Sequence, residues 1–247
     1  MLRTLKNNLA FFRQFRERFE TTGAIAPSSR FLARSMTRFL ADRTEEPVRV
    51  LEIGPGTGPV TQQIVTHLKS GDHFDLVELN EQFVGILNQR FQDEPSWRKA
   101  APFSQIHQVP VQEFQPADQY DFVISGLPLN NFPEDLVQTI SNYYFELLRP
   151  TGVLSYFEYM FVRPVRRKLT RGPECDRISA IDEIMNGHCR CRRIQRDNIW
   201  VNVPPAWVQH LSGTPTEGSA PHQDEAKDAP PASASASPAS AASVSSD

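Results

Sequence analysis

Two acidic residues and a run of alternating glycines have the types and spacing of a nucleotide-binding site. Glu52 lies near the end of a mostly apolar stretch at residues 48–53, and Gly54, Gly56 and Gly58 follow it. Glycine has no Cβ, so the main chain can turn sharply there and approach a ligand closely. A helix that begins just after such a turn presents N–H groups to the same ligand. The pattern predicts a buried parallel strand that leads into a ligand-binding loop.

The second acidic residue extends the pattern into the next strand. Glu78 lies in the strand-like run 74–79, twenty positions after Gly58. In doubly wound sheets a carboxylate at this place accepts hydrogen bonds from ribose hydroxyls. The alternative is an ordinary strand–turn–helix whose glycines serve only close packing. The Gly-x-Gly-x-Gly spacing differs from the dinucleotide fingerprint, and it resembles motif I of the class I S-adenosylmethionine-dependent methyltransferases.

That resemblance implies a cofactor and a fold. The cofactor is S-adenosyl-L-methionine, and the residues implied to contact it are Glu52, Gly54, Gly56, Thr57, Gly58, Glu78, Leu79, Gln112 and Ser125. Gln112 is included by its position in the fold, where Gln112 or Glu113 would hydrogen-bond the amino group of adenine, and a surface acid is the alternative there. The expected fold is α/β and Rossmann-like, with a seven-stranded, mostly parallel sheet and an N-terminal helical extension. Strands are expected at 48–53, 74–79, 104–109, 120–125 and 153–161, helices at 60–68, 81–91 and 134–148, and a closing antiparallel hairpin at 189–195 and 198–203.

Composition divides the 247 residues into three parts. We expect a basic helical extension at 1–43, a methyltransferase domain at 44–211 and an Ala/Ser/Pro-rich tail at 212–247 that is disordered. No apolar run approaches 18 residues, and the N-terminus lacks the apolar centre of a signal peptide, which predicts a cytoplasmic protein. The three cysteines cannot form an even disulfide set, and their spacing matches no strong zinc pattern, so no metal is expected.

Two basic segments flank the predicted nucleotide site. Residues 1–43 and 163–196 each carry a local charge of +6, although the whole chain is at −3. In residues 1–20, Leu and Phe recur at helical spacing between basic residues that include Arg3, Lys6 and Arg13. Such a helix can lie in a lipid headgroup layer and bind anionic lipids. The alternative is a helix packed on the domain with its charges in water.

The turn after the fourth predicted strand bears on the methyl acceptor. It reads Ser125-Gly126-Leu127-Pro128-Leu129. Enzymes that methylate an adenine amine place Asn or Asp, an apolar residue, Pro and an aromatic residue in such a turn. Here Gly126 stands in place of the Asn, and Leu129 in place of the aromatic residue. Stacking on a base contributes roughly 1–3 kcal/mol, so its absence argues against a nucleobase acceptor.

Taken together, the glycine loop and this turn resemble the soluble bacterial phospholipid N-methyltransferases over about residues 1–211. The resemblance implies N-methylation of phosphatidylethanolamine at the inner face of the cytoplasmic membrane, to which the protein would bind peripherally. Another aminolipid such as ornithine lipid is the first alternative, and an RNA adenine is the second. Candidate catalytic residues are Ser125, Gly126 and Leu127, which would orient the amine through their carbonyls, and Tyr156, Glu158 and Tyr159, which would take or stabilise its charge. Arg163, Arg166 and Arg167 are candidates for an anionic headgroup, with a solvated helix face as the alternative.

Overall fold

The structure is a computed structural model and describes residues 29–44, 46–160 and 172–215. The expectations for the basic segment 1–20, for Arg163, Arg166 and Arg167, and for nearly all of the tail at 212–247 lie outside these residues.

A seven-stranded sheet organises the described residues. Its order is β3-β2-β1-β4-β5-β7-β6, with β7 antiparallel to both neighbours and the other pairings parallel. The strands are β1 (Arg49–Ile53), β2 (His73–Val77), β3 (Ser104–His107), β4 (Tyr120–Ser125), β5 (Leu148–Tyr159), β6 (Arg193–Ile199) and β7 (Ala206–Ser212). The Rossmann-like class I methyltransferase fold is confirmed. Strand order reverses between β1 and β4, and such a switch point is where open α/β sheets bind ligands.

Seven helices are described along the chain: α1 (Ser29–Met36), α2 (Arg38–Ala41), α3 (Thr61–His67), α4 (Glu81–Asp93), α5 (Pro95–Ala100), α6 (Glu134–Leu147) and α7 (Pro173–Arg192). Local interactions explain where two of these helices begin. The Asn80 side chain accepts hydrogen bonds from the N–H groups of Gln82 and Phe83 at the start of α4, which satisfies donors that a helix start leaves unpaired. Acidic residues occupy the first turn of α6, where the helix dipole favours them.

The apolar core consists of two clusters on opposite faces of the sheet. Leu51 belongs to the cluster that includes residues of α6 and α7, whereas Val50 belongs to the cluster that includes residues of α1, α3 and α4. Successive side chains of a strand point to opposite faces. Because both faces of β1 are covered, the successive residues Val50 and Leu51 are both apolar and buried, with no alternation between apolar and polar residues.

The closing hairpin lies elsewhere than predicted. Residues 189–192 end helix α7, and the hairpin is formed by Arg193–Ile199 and Ala206–Ser212. Cys189 is buried in the apolar cluster beneath α7, with Tyr156 as a neighbour. Pro204 and Pro205 have no N–H to donate, so the ladder of β7 begins only after them. The predicted positions of the two strands, at 189–195 and 198–203, were therefore wrong: both strands begin later in the sequence.

Helices α1 and α2 pack onto the outer strands. Leu32, Met36 and Leu40 are buried in the core. The Ser35 hydroxyl donates to Asp197 of β6 at 2.7 Å, and the Arg38 guanidinium pairs with the same carboxylate at 3.1 Å. The end of the predicted N-terminal extension is thus an integral part of the fold.

Candidate active site

A glycine loop joins β1 to α3 at the switch point. The Gly54 N–H donates to the Val77 carbonyl of β2 at 2.9 Å, and the Gly126 N–H donates to the Ile53 carbonyl at 2.8 Å. These two bonds bring the ends of β1, β2 and β4 together. The predicted cofactor loop and the predicted acceptor turn therefore meet at one edge of the sheet.

The loop needs glycine for both conformation and space. Gly54, Gly56 and Gly58 have φ values of 69°, 62° and 86°, in the left-handed region that glycine adopts without steric cost. A Cβ on Gly126 would lie 2.7 Å from the Gly54 carbonyl oxygen, and one on Gly54 would lie 2.6 Å from Leu127 Cδ2. Main chain therefore packs directly on main chain between the loop and the turn.

The Glu78 carboxylate is fixed beside the loop by two main-chain donors. The Gly56 N–H donates to Oε2 at 3.0 Å, and the Asn80 N–H donates to Oε1 at 2.8 Å. Glu78 is 1% exposed, while Thr57 and Leu79 are half-buried. A carboxylate only accepts hydrogen bonds, which suits it to a ribose diol. The open glycine cradle and the adjoining carboxylate fit S-adenosylmethionine.

Glu52 occupies the interior beneath the loop. It is 2% exposed, and the Thr61 hydroxyl donates to its Oε2 at 2.6 Å. Burial, together with the negative charge of Glu78, raises the pKa of Glu52 to about 8. Since Thr61 is the first residue of α3, this bond ties the start of the helix to the end of β1. A direct contact between Glu52 and the cofactor stays a prediction.

Arg90 and Trp97 support the loop from outside, and the sequence did not single them out. Arg90 Nη1 donates to the carbonyls of Thr57 and Gly58 at 2.8 and 3.2 Å. Its guanidinium lies 4.2 Å from the centre of the Trp97 ring, and a Cβ on Gly58 would meet that ring at 2.6 Å. One signal was available in the sequence: Glu94 lies four residues after Arg90, a spacing at which the two side chains can form an ion pair on a helix. The predicted helix ended at residue 91 and so did not include Glu94.

The acceptor turn opens into a cleft beside β5. The cleft encloses about 380 Å³, including its open mouth, between the turn at 128–131 and the end of β5 at 156–159. Three candidate catalytic residues line it, but they do not share a face of the strand. Tyr156 and Glu158 are buried on one face, whereas Tyr159 lies on the other and contacts the Phe157 ring at 5.2 Å. Their catalytic roles stay predictions.

The side chains of Ser125 and Leu127 hold the turn together. Ser125 Oγ lies 2.6 Å from the hydroxyl of Tyr144 on α6 and accepts the Leu127 N–H at 3.3 Å. Burial raises the pKa of Tyr144, so the phenol remains protonated. The Leu127 carbonyl accepts the Leu129 N–H at 3.0 Å. The role predicted for the main-chain carbonyls of Ser125, Gly126 and Leu127, which is to orient an amine, stays a prediction.

The candidate Gln112 and one further residue, Arg177, lie at the margins of the site. Gln112 is half-buried in the helical turn Val111–Glu113, which follows β3, and its contact with adenine stays a prediction. From the second basic segment, Arg177 Nη1 donates to the Phe132 carbonyl at 2.7 Å, and Arg177 also pairs with Glu174. Arg177 is thereby held against the segment that follows the acceptor turn.

Metal and membrane-spanning features were also sought in the described ranges. Cys175, Cys189 and Cys191 form no disulfide in the described part of the chain, and among the described residues no three potential metal ligands converge. No helix in the described part of the chain is both long and apolar enough to cross a bilayer.

Comparisons with known proteins agree with this geometry. Residues 51–154 match the family model described as a methyltransferase domain. The chain is 27% identical over 157 residues to ornithine lipid N-methyltransferase from Singulisphaera acidiphila, which covers 63% of this chain and 80% of that protein. It is 27% identical over 146 residues to ribosomal RNA small subunit methyltransferase A from Pseudomonas fluorescens, covering 59% of this chain and 49% of that protein.

A solved structure extends the likeness over most of the fold. N-methyltransferase NodS from Bradyrhizobium japonicum, in complex with S-adenosyl-L-homocysteine, superposes with a TM-score of 0.58 at 15% identity, covering 87% of this chain and 98% of that one. The fold, the glycine loop with its carboxylate and the family model define a class I S-adenosylmethionine-dependent methyltransferase. The chain spans about half the length of the ribosomal RNA relative and most of the ornithine lipid relative.

Proposed function

We propose that this methyltransferase N-methylates the headgroup amine of a membrane aminolipid. Phosphatidylethanolamine and its partly methylated products are the proposed substrates, with ornithine lipid as the alternative headgroup. The observation that carries the proposal is the alignment with ornithine lipid N-methyltransferase, which extends over 80% of that protein.

The acceptor site supports an aliphatic amine over a nucleobase. The ribosomal RNA relatives make an RNA adenine the competing acceptor. An Asn or Asp at position 126 would have to begin with a Cβ 2.7 Å from a main-chain oxygen. Leu129, which replaces the aromatic residue of the adenine-methylating pattern, is 6% exposed and packs in the core. A tetrahedral ammonium headgroup requires neither the amide grip nor the stacking platform.

The chemistry sets three tasks for the protein. When bound, S-adenosylmethionine supplies a methyl group on a sulfonium, and methylation of a lipid ammonium releases one proton. The protein must orient the nitrogen, exclude water and accept that proton, because an alkyl ammonium is mostly protonated near neutral pH. In our proposal main-chain carbonyls of the Ser125–Gly126 turn orient the amine. The Glu158 carboxylate, which lines the cleft, receives the proton.

An anionic bilayer is the proposed partner. The basic amphipathic pattern at residues 1–20 is suited to a headgroup layer, and Arg177 places one described cation beside the acceptor turn. Peripheral binding at the inner face of the cytoplasmic membrane follows as part of the proposal.

The test presents competing acceptors to one enzyme preparation. The purified protein is incubated with methyl-labelled S-adenosylmethionine and with vesicles containing phosphatidylethanolamine, vesicles containing ornithine lipid, or ribosomal RNA. Label in either aminolipid supports the proposal and identifies the headgroup. Label in RNA alone, or in none of the three, refutes it.

Two variants sharpen the same assay. Glu78→Ala removes the carboxylate that the loop positions, and it should abolish incorporation, which excludes a contaminating enzyme. Glu158→Gln should lower turnover and alter its dependence on pH. A Glu158→Gln enzyme with unchanged turnover across pH would remove Glu158 from the mechanism while leaving the acceptor assignment intact.

A further inference from the structure

The loop between β6 and β7 exposes three large apolar side chains. Trp200, Val201 and Val203 are 63%, 59% and 81% exposed. By contrast Trp97 is fully buried. Single exposed apolar residues are common on protein surfaces, whereas several clustered in one loop mark an interaction site.

The loop is anchored from within, so these side chains are directed outward by its structure. Asn202, between the exposed residues, is 5% exposed, and its Nδ2 donates to the Pro204 carbonyl at 2.7 Å. The Met160 N–H donates to the Pro205 carbonyl at 2.8 Å. Met160 directly follows the end of β5, which lines the acceptor cleft. The apolar loop therefore stands beside the cleft.

Helix α1 brings arginines to the same edge. Phe39 of α2 contacts the His210 ring at 4.9 Å, and Ser35 of α1 donates to Asp197, which is in register with Val208. Four residues of a helix span about 6 Å and two residues of a strand about 7 Å, so the step from Phe39 to Ser35 runs alongside the step from His210 to Val208, toward Ala206. Extended one turn further back along α1, this progression places the N-terminal end of α1 toward the loop that precedes Ala206.

That end of α1 has the side chains of a lipid-facing surface. Arg30 and Arg34 are exposed, and Phe31 is 40% exposed with the Arg30 guanidinium 5.2 Å from its ring centre. The described part of the chain also enters α1 here, at Ser29.

We propose that Trp200, Val201 and Val203 form a docking loop that inserts into the interfacial layer of an anionic phospholipid bilayer. Arg30 and Arg34 contact the lipid phosphates beside it. Trp is suited to this layer because its ring is amphipathic, and cations near the surface add electrostatic attraction. Docking turns the acceptor cleft toward the headgroups. The inference rests on the proposed function for its biological purpose.

The first experiment uses the fluorescence of Trp200 itself. The emission of Trp200 is obtained as the difference between wild-type protein and Trp200→Phe, which leaves Trp97 and Trp207 in place. Vesicles of phosphatidylethanolamine and phosphatidylglycerol with brominated acyl chains should shift this emission to the blue and quench it. Vesicles that bind the protein without changing the emission of Trp200 would overturn the inference.

The second experiment measures binding with a matched control. Changing Trp200, Val201 and Val203 to Ser should lower vesicle partitioning about tenfold or more, since each loses apolar burial in the bilayer. Ile194→Ser alters a side chain 42% exposed at the opposite end of β6, and it should leave partitioning unchanged. Equal loss in both variants, or in neither, would contradict a specific docking loop.

Enzyme activity separates this inference from the proposed function. The triple variant should lose activity on vesicles but retain activity on a monomeric short-chain phosphatidylethanolamine. Quenching of Trp200 with no methylation of phosphatidylethanolamine in either form, nor of ornithine lipid in vesicles, would support docking and refute the proposed function. Methylation of both forms without quenching would support the function and refute docking.

Discussion

Glu52→Gln should change how the stability of the protein depends on pH. The wild-type carboxyl is buried, accepts a hydrogen bond from Thr61 and lies near the charge of Glu78, and its pKa is raised from 4.5 to about 8. Gln has nearly the same shape and can accept the same hydrogen bond, but it has no proton to lose. The substitution therefore isolates the cost of ionising this buried group.

The sign and size follow from proton binding. Between pH 4.5 and about 8, folded Glu52 holds its proton while the unfolded carboxyl loses it. The free energy of unfolding therefore falls as pH rises through this window. One pKa unit corresponds to about 1.4 kcal/mol, so the full shift corresponds to about 5 kcal/mol. Glu52→Gln should thus be stabilised over wild type by about 1 kcal/mol or less near pH 5 and by about 3–5 kcal/mol near pH 8.5.

Urea unfolding at several pH values, without cofactor, measures this difference. Glu183→Gln on helix α7 is a suitable control because Glu183 is exposed, and it should follow the wild-type curve closely. Parallel curves for wild type and Glu52→Gln between pH 5 and 8.5 would refute the argument, because they would mean that Glu52 ionises at no cost inside the fold.

Two further predictions concern the loop. Gly126→Ala should weaken S-adenosylmethionine binding about tenfold or more, measured by calorimetry, because the added Cβ displaces the Gly54 carbonyl. The control Gly187→Ala, which has open space around its Cβ on α7, should bind the cofactor normally. Normal binding by both variants would contradict the contact between Gly126 and Gly54. Arg90→Met should lower the free energy of unfolding by about 2 kcal/mol and weaken cofactor binding, because the Thr57 carbonyl loses its charged donor. An unchanged melting temperature and affinity would rule out that support.

The segments that could be predicted from the sequence are those whose local residue pattern fits only one type of secondary structure. Strands β1, β2 and β4 are short apolar runs ended by turn residues, and the three loop glycines adopt the left-handed conformations that their spacing suggested. In these segments local preference and tertiary burial agree, which is why the fold class and the cofactor could be inferred from so few residues.

The errors occurred where tertiary contacts, and not the local sequence, determine the structure. The pairing of Arg90 with the Thr57 carbonyl joins residues 33 positions apart, and no local pattern encodes it. Helix α7 was not predicted, and its last residues were assigned to the first strand of the hairpin. Strand β6 is an edge strand of half-buried and exposed residues, so the boundary between helix and strand carries a weak signal. The three candidates on β5 were grouped by proximity in sequence, although alternation places Tyr159 on the other face.

The contact between Gly126 and Gly54 restricts how acceptor preference can be redesigned. A residue with a side chain at position 126 would disturb the donor pocket and the acceptor pocket at once, because the two share a wall one main chain thick. Substitutions that alter acceptor preference without weakening cofactor binding must therefore be made farther from the loop, at residues 130–131 or along the outer end of β5. Acceptor selectivity can therefore be altered at the mouth of the cleft, whereas position 126 must remain glycine.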